Sequence, residues 1–156
     1  METYTPDTEE YEEELRSALI CEDNTALKSS VSAAIEGLKY NVEFAADAED
    51  GFQKLKFNQY GLLVLDERFG GSTPESSGIY KLLLTMPMST RRNIFFVLIG
   101  KNLKTADSMT AFSKSANLVV NEKDIANLKT ILKKAVADND QFYKVFRERL
   151  RKKGQQ

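Results

Sequence analysis

The chain has 156 residues, 42% of them apolar, and a formal net charge of −1, which predicts a single globular domain with a packed core. It contains no histidine and one cysteine, Cys21, so Ser–His and Cys–His catalysis, histidine-containing zinc sites and an internal disulfide are excluded. The apolar runs are too short to cross a membrane and the acidic start is unlike a signal peptide, so we expect a cytoplasmic protein.

Charge is distributed unevenly between the two ends of the chain. The acidic residues near the start are Asp7, Glu9, Glu10, Glu12, Glu13 and Glu14, and the basic residues near the end are Arg147, Arg149, Arg151, Lys152 and Lys153. Such blocks form solvated surfaces or bind partners. We therefore predict an acidic arm at residues 1–16, a domain at residues 17–137 and a basic helical extension at residues 138–156.

The first half of the domain reads as strand, helix, strand, helix. Ser17–Cys21 forms the first predicted strand, and residues 40–45 form the second. The intervening helix carries apolar residues at helical spacing, namely Leu27, Val31, Ala34, Ile35 and Leu38. Asp47 is a suitable N-cap for the next helix, because acidic residues follow it in the first turn.

The third strand is the apolar run "LLVLD", which ends on Asp66. Four consecutive apolar residues before a turn are typical of a strand covered on both faces, as in a parallel sheet. The loop after it, "ERFGGSTPESS", contains Gly70, Gly71 and Pro74 and is longer than most strand-to-helix connections. We expect this loop to be rich in turns and mobile.

The second half continues the alternation. A third helix carries Ile79, Leu82, Leu83 and Met86 and ends at Pro87. Residues 95–99 form a buried strand, residues 103–116 a helix poor in large apolar side chains, and residues 118–120 a short strand before a helix that starts near Asp124. Five strand–helix units predict an α/β fold, a doubly wound five-stranded parallel sheet with helices on both faces.

The last helix is longer than such a domain requires. Its apolar stripe has one polar member and comprises Leu128, Leu132, Ala135, Asn139, Phe142 and Phe146. This heptad-like spacing is typical of paired helices, so a homodimer through this helix is one expectation. Either one helix runs to Lys152, roughly 40 Å at about 1.5 Å per residue, or "ADNDQ" at residues 137–141 breaks it into two. We do not expect nucleic-acid binding, because the domain as a whole is slightly acidic.

Three carboxylates are predicted to meet at one edge of the sheet. Glu22 and Asp23 follow the first strand and Asp66 ends the third, and parallel strands share their carboxyl edge. The strand order 2-1-3-4-5, the flavodoxin-like order, makes strands 1 and 3 neighbours at a site where such sheets bind ligands. Clustered carboxylates suit a hard divalent ion such as Mg²⁺.

These residues and the order of elements resemble the receiver domains of two-component response regulators, the CheY-like family, over residues 17 to about 137. "ALICEDN" resembles the first strand with its paired acids, and "NVEFAADAEDGFQKL" the second strand and helix. "GLLVLDERFGG" resembles the strand that ends on the phosphate-accepting aspartate. The resemblance implies that a histidine kinase supplies a phosphoryl group to Asp66 with Mg²⁺ bound, and that the chain is a signalling module rather than an enzyme.

The sequence departs from this family at the positions that respond to phosphate. Ile99 and Gly100 stand where the family has a Thr or Ser, and Asn121 stands where it has a Lys. Leu118 replaces the aromatic switch residue. Arg68 and Lys123 are the candidate substitutes: Arg68 could pair with the acid cluster or lie in solvent, and Lys123 could reach the site if its loop bends back.

Asp66 therefore has three interpretations: a working Mg²⁺-dependent phosphorylation site, a vestigial carboxylate in a pseudo-receiver, or a structural loop cap. We expect an atypical receiver that acts by protein–protein contact with weak or absent phosphorylation, and a histidine kinase or a downstream signalling protein as partner. A functional phospho-receiver is the first alternative. A small flavodoxin-like enzyme is a second, which no glycine-rich phosphate loop, histidine or activated nucleophile supports.

Overall fold

A computed structural model describes residues 16–71, 73 and 76–154, with side chains up to Gln141. The predicted acidic arm, apart from Arg16, and Pro74 of the predicted mobile loop lie outside the described residues. The divisions at residues 16 and 137 stay predictions.

Five parallel strands form one sheet in the order 2-1-3-4-5, which confirms the predicted topology. The strands are β1 (Ser17–Cys21), β2 (Asn41–Phe44), β3 (Leu62–Asp66), β4 (Phe95–Gly100) and β5 (Leu118–Asn121). In this register Asp66 lies beside Ile99, and Gly100 lies beside Asn121. The carboxyl ends of β1, β3, β4 and β5 thus share one edge.

The helices are α1 (Thr25–Gly37), α2 (Ala48–Phe57), α3 (Gly78–Thr85), α4 (Ser108–Ser113) and α5 (Leu128–Gly154). A single helical turn at Met88–Arg91 follows α3, and 3₁₀ segments occupy Phe69–Gly71 and Glu122–Asn127. The predicted cap is present, because the Asp47 side chain accepts a hydrogen bond from Asp50 N.

The sheet separates two apolar layers. Alternate strand residues such as Leu19, Leu63 and Phe96 pack against α2 and α3, whereas Ile20 and Val64 pack against α1 and α5. All residues of β3 and β4 are buried, as expected for central strands covered on both faces. Among the described residues, no helix is both long and apolar enough to span a bilayer.

Two elements are shorter than predicted. The β2 strand lies at the sheet edge and covers four residues. Lys39, shortly before the strand, has a positive φ of 72°. The α4 helix covers only Ser108–Ser113, because Ala106 and Ser115 on either side have φ values of 63° and 57°. Left-handed backbone ends a helix, so propensity over residues 103–116 overestimated its length.

The final helix begins later than predicted and does not break. Residues Glu122–Asn127 form a 3₁₀ segment capped by Asn121, and the α-helix starts at Leu128. It then runs to Gly154 through "ADNDQ", which contains neither glycine nor proline. Leu128 and Leu132 are fully buried in the domain core.

Candidate functional site

Asp66 ends β3 at the carboxyl edge and is 3% exposed. Glu22, which follows β1, is also buried. Its Oε1 accepts a hydrogen bond from Asn24 N at 3.0 Å, but Oε2 has no donor among the described residues. Burial, followed by the neighbouring Asp66 side chain, raises the Glu22 pKa to about 8. A carboxyl group with this pKa is mostly protonated at neutral pH, which relieves the repulsion between Glu22 and the Asp66 carboxylate.

The third predicted acid is turned toward the β3–α3 loop. Asp23 is exposed, and its Oδ2 accepts a hydrogen bond from Gly70 N at 2.8 Å. Gly70 has a φ of 72°, and a Cβ atom on it would lie 2.9 Å from the Ala48 Cβ. Glycine is therefore needed for the loop to approach Asp23 in this way.

Arg68 joins two strand ends. Its backbone N donates to Asp66 Oδ1 at 2.8 Å, and its Nε and Nη2 lie 3.3 and 3.4 Å from Asp66 Oδ1 and Oδ2. The same Nη2 donates to Glu122 Oε2 at 2.6 Å. Because Glu122 directly follows β5, one guanidinium bridges the carboxyl ends of β3 and β5.

The side chains of Glu22, Asp23, Asp66 and Arg68 line an open cleft of about 320 Å³. Mg²⁺ needs several carboxylate oxygens directed at a common point, and among the described residues no three acidic, cysteine or histidine groups are so arranged. Both Asp66 oxygens face Arg68, and Asp23 holds Gly70. Mg²⁺ binding by Glu22, Asp23 and Asp66 stays a prediction.

The end of β4 presents no hydroxyl to the cleft. Ile99 is fully buried and accepts a hydrogen bond from Glu67 N at 2.9 Å. The Glu67 carboxylate lies directly over Gly100, so close that a Cβ atom on Gly100 would overlap it. A serine or threonine at this position requires the Glu67 side chain to move.

The last residue of β5, Asn121, is hydrogen-bonded to the β4–α4 loop. Asn121 Nδ2 donates to the carbonyls of Lys101 and Leu103 at 2.9 and 2.8 Å, and its backbone N donates to Thr105 Oγ1. Thr105 in turn donates to Asp124. The side chain at the lysine position of the family thus fastens the β4–α4 loop to β5.

The two remaining predicted positions lie apart from Asp66. Lys123 N donates to Asn121 Oδ1 at 2.9 Å, and its exposed side chain has no ion pair with a described carboxylate. Leu118 is buried on the α1–α5 side of the sheet and lines a groove between α4 and α5.

Sequence reasoning missed Glu122, Glu67 and Thr105. Glu122 carried a usable signal, because it directly follows a strand of the same parallel sheet, as Glu22 does. Glu67 and Thr105 carried none, since their contacts depend on loop conformations that hydrophobic periodicity does not encode.

The comparisons with known proteins identify the fold. No family model matches the sequence, and no curated protein is significantly similar to it. Solved structures do match. A CheY-like response regulator receiver domain protein from Methanospirillum hungatei JF-1 is 21% identical, with a TM-score of 0.54 over 80% of this chain and 96% of that chain.

Two bacterial structures agree with this. The signal receiver domain of a putative Luxo repressor protein from Vibrio parahaemolyticus is 16% identical, with a TM-score of 0.57 over 83% of this chain and 95% of that chain. The orphan response regulator HP1043 from H. pylori is 13% identical, with a TM-score of 0.55 over 76% and 94%. With its strand order and its acidic carboxyl edge, the chain has the fold of CheY-like response regulator receiver domains.

Proposed function

We propose that the chain is an atypical receiver in a two-component-type signalling system and acts by protein–protein contact without phosphorylation of Asp66. The observation that carries the proposal is the Arg68 bridge. A guanidinium already occupies both oxygens of the expected phosphate acceptor and links them to Glu122. It supplies the positive charge that a receiver otherwise takes from a metal ion and a lysine.

The responding groups support the same conclusion. A phosphoryl group adds about −1.5 to −2 charge at neutral pH, which needs new charge-assisted hydrogen bonds to produce a second conformation. Gly100 has no hydroxyl, and the side-chain amide of Asn121 already donates to two loop carbonyls. Without contacts that differ between two conformations, a phosphoryl group at Asp66 would not shift the equilibrium between them.

The surface available to a protein partner is formed by α4, β5 and α5. Met109 and Phe112 on α4 are 77% and 83% exposed. Beside them lies a groove of about 780 Å³ whose apolar lining includes Phe95, Ile131 and Ala135. Exposed apolar surface next to a groove is typical of interaction sites. The partner in this proposal is a histidine kinase or a downstream signalling protein, and the α5 extension pairs with a second copy.

Phosphodonor labelling tests the proposal. The chain is incubated with acetyl phosphate and Mg²⁺ and its intact mass is measured, with Asp66→Asn as the control. We expect no adduct on either protein, while a known phospho-receiver run in parallel gains one phosphoryl mass. A stable adduct on the chain that Asp66→Asn abolishes would overturn the proposal in favour of a functional phospho-receiver.

A further inference from the structure

A second cleft lies at the opposite edge of the sheet, where the strands begin. It has a volume of about 430 Å³ and lies between the end of α2 and the end of α3 with the turn after it. Its apolar lining is formed by Leu55, Phe57, Tyr60, Leu82, Met86 and Ile94. It is distinct from the Asp66 cleft, with which it shares no lining residue.

Apolar side chains stand exposed at and near this cleft. Phe57, which lines it, is 70% exposed, and Met88 and Leu84 on neighbouring backbone are 74% and 49% exposed. Single exposed apolar residues are ordinary, but several around one concave site indicate a covered surface.

The two chain segments that form the cleft carry basic side chains. Residues 52–60 and 81–94 contain five Lys or Arg residues and no Asp or Glu. Lys54 is paired with Asp50, and Arg91 donates to the carbonyls of Ile94 and Ser115. Lys56, Lys81 and Arg92 have no ion pair with a described carboxylate. An acidic segment would therefore be attracted to this surface.

Residues 1–15 match the cleft in both charge and apolar content. They contain seven Asp or Glu residues and no Lys or Arg, together with Tyr4, Tyr11 and Leu15. They also join the domain beside it. Ser17 O accepts a hydrogen bond from Gly61 N at 2.9 Å, and the preceding residue, Tyr60, lines the cleft.

We propose that the acidic segment of residues 1–15 docks in this cleft of its own chain. Fifteen residues reach up to about 50 Å when extended, so the length suffices. The basic end of α5, whose cations start at Lys144, is the competing site. The cleft combines apolar surface and cations next to the point where the segment leaves β1.

Carbodiimide cross-linking of the full chain, read by peptide mass spectrometry, tests this proposal. The reagent joins a carboxylate to a lysine amine only when the two are in contact. We expect links from residues 9–14 to Lys56 or Lys81, which weaken in 1 M salt, where the screening length falls to about 3 Å. Mixing ¹⁴N and ¹⁵N protein distinguishes links within one chain from links between copies.

Matched aromatic variants show whether the cleft itself is responsible. Phe57→Ser removes a ring at the cleft that is 70% exposed, and Phe112→Ser removes a ring on α4 that is 83% exposed. We expect Phe57→Ser to reduce the links to Lys56 and Lys81 severalfold and Phe112→Ser to leave them unchanged. Links only to the lysines of α5, links only between copies, no links, or equal effects of the two variants would each overturn the proposal.

Discussion

Asp66 and Arg68 form an ion pair with one buried and one exposed partner. Arg68 is 45% exposed on its side chain, whereas Asp66 is 3% exposed. An exposed pair contributes little to stability, because water screens it. Here the buried carboxylate depends on the guanidinium, since removing one partner of a buried charge leaves the other without compensation. The guanidinium therefore covers both carboxylate oxygens of Asp66 and limits access to them.

Glu22 makes the stability of the domain depend on pH. Its pKa is raised from 4.5 to about 8 by burial and by the neighbouring Asp66 side chain. The native state thus favours the protonated carboxyl, a preference that is fully present below pH 4.5 and is lost as the pH rises through about 8. We expect the free energy of unfolding to fall over this range, and Glu22→Gln to remove the fall.

Urea unfolding at pH 5, 7 and 9 measures this effect. We expect Glu22→Gln to be more stable than the parent at pH 9 by about 1–2 kcal/mol, a value discounted because the cleft is open to water. The control is Glu36→Gln, which changes an exposed carboxyl on α1. Equal pH dependence in the parent and Glu22→Gln would contradict the assignment.

Topology made the acids of the site predictable, but not their contacts. Glu22, Asp23 and Asp66 could be placed at one edge because parallel strands end together, and no side-chain information was needed. The contact of Asp23 with Gly70 N requires a loop with positive φ values. The contact of Arg68 with Glu122 joins residues 54 positions apart. Hydrophobic periodicity predicts strands and helices, but it predicts neither of these two contacts.

At the scale of single elements, the accuracy of the sequence prediction follows burial. The bounds of β1 and the buried runs of β3 and β4 were predictable because apolar side chains cover both faces of a central strand. The α4 helix was overestimated, since its large apolar residues, Met109 and Phe112, face solvent and contribute no packing. The late start of α5 reflects the Asn121 cap, which favours a 3₁₀ segment first.

The β4–α4 loop depends on one side chain of β5. Asn121 donates to two loop carbonyls and accepts a hydrogen bond from Lys123 N, so Asn121→Ala removes three hydrogen bonds at once. We expect a loss of about 1–3 kcal/mol in the free energy of unfolding, because Lys101 O and Leu103 O lose their donor. Asn121→Lys should remove the cap of the 3₁₀ segment Glu122–Asn127, since an ammonium cannot accept a hydrogen bond from Lys123 N.

Hydrogen–deuterium exchange locates this effect. Amide exchange over residues 101–107 should accelerate in Asn121→Ala, while the α2 helix is unchanged. Asn102→Ala, which changes an exposed residue of the same loop, serves as the control. Unchanged exchange in Asn121→Ala would mean that Thr105 and Asp124 hold the loop without it.

At the scale of the whole molecule, the first turns of α5 pack in the domain core and the rest of the helix extends beyond them. Its first turns belong to the domain, since Leu128 and Leu132 are fully buried against α1 and the sheet. These members of the heptad-like stripe cannot also face another chain. Only the part from Asn139 onward, about 24 Å of helix at 1.5 Å per residue, is available for pairing.

A helix of about 16 residues is marginal alone in water, so we expect the α5 extensions of two copies to pair through the stripe that contains Phe142 and Phe146. Light scattering over a concentration series should then show a dimer, and Phe142→Ser with Phe146→Ser should weaken it more than tenfold, because each buried aromatic contributes about 1.5–3 kcal/mol. Phe112→Ser, on the surface of α4, should leave the dimer intact.

If the full chain scatters as a monomer at every concentration, or if Phe112→Ser alone dissociates the dimer, the prediction of α5 pairing is wrong. In the latter case the copies meet through the α4 surface, which would then be unavailable to another partner.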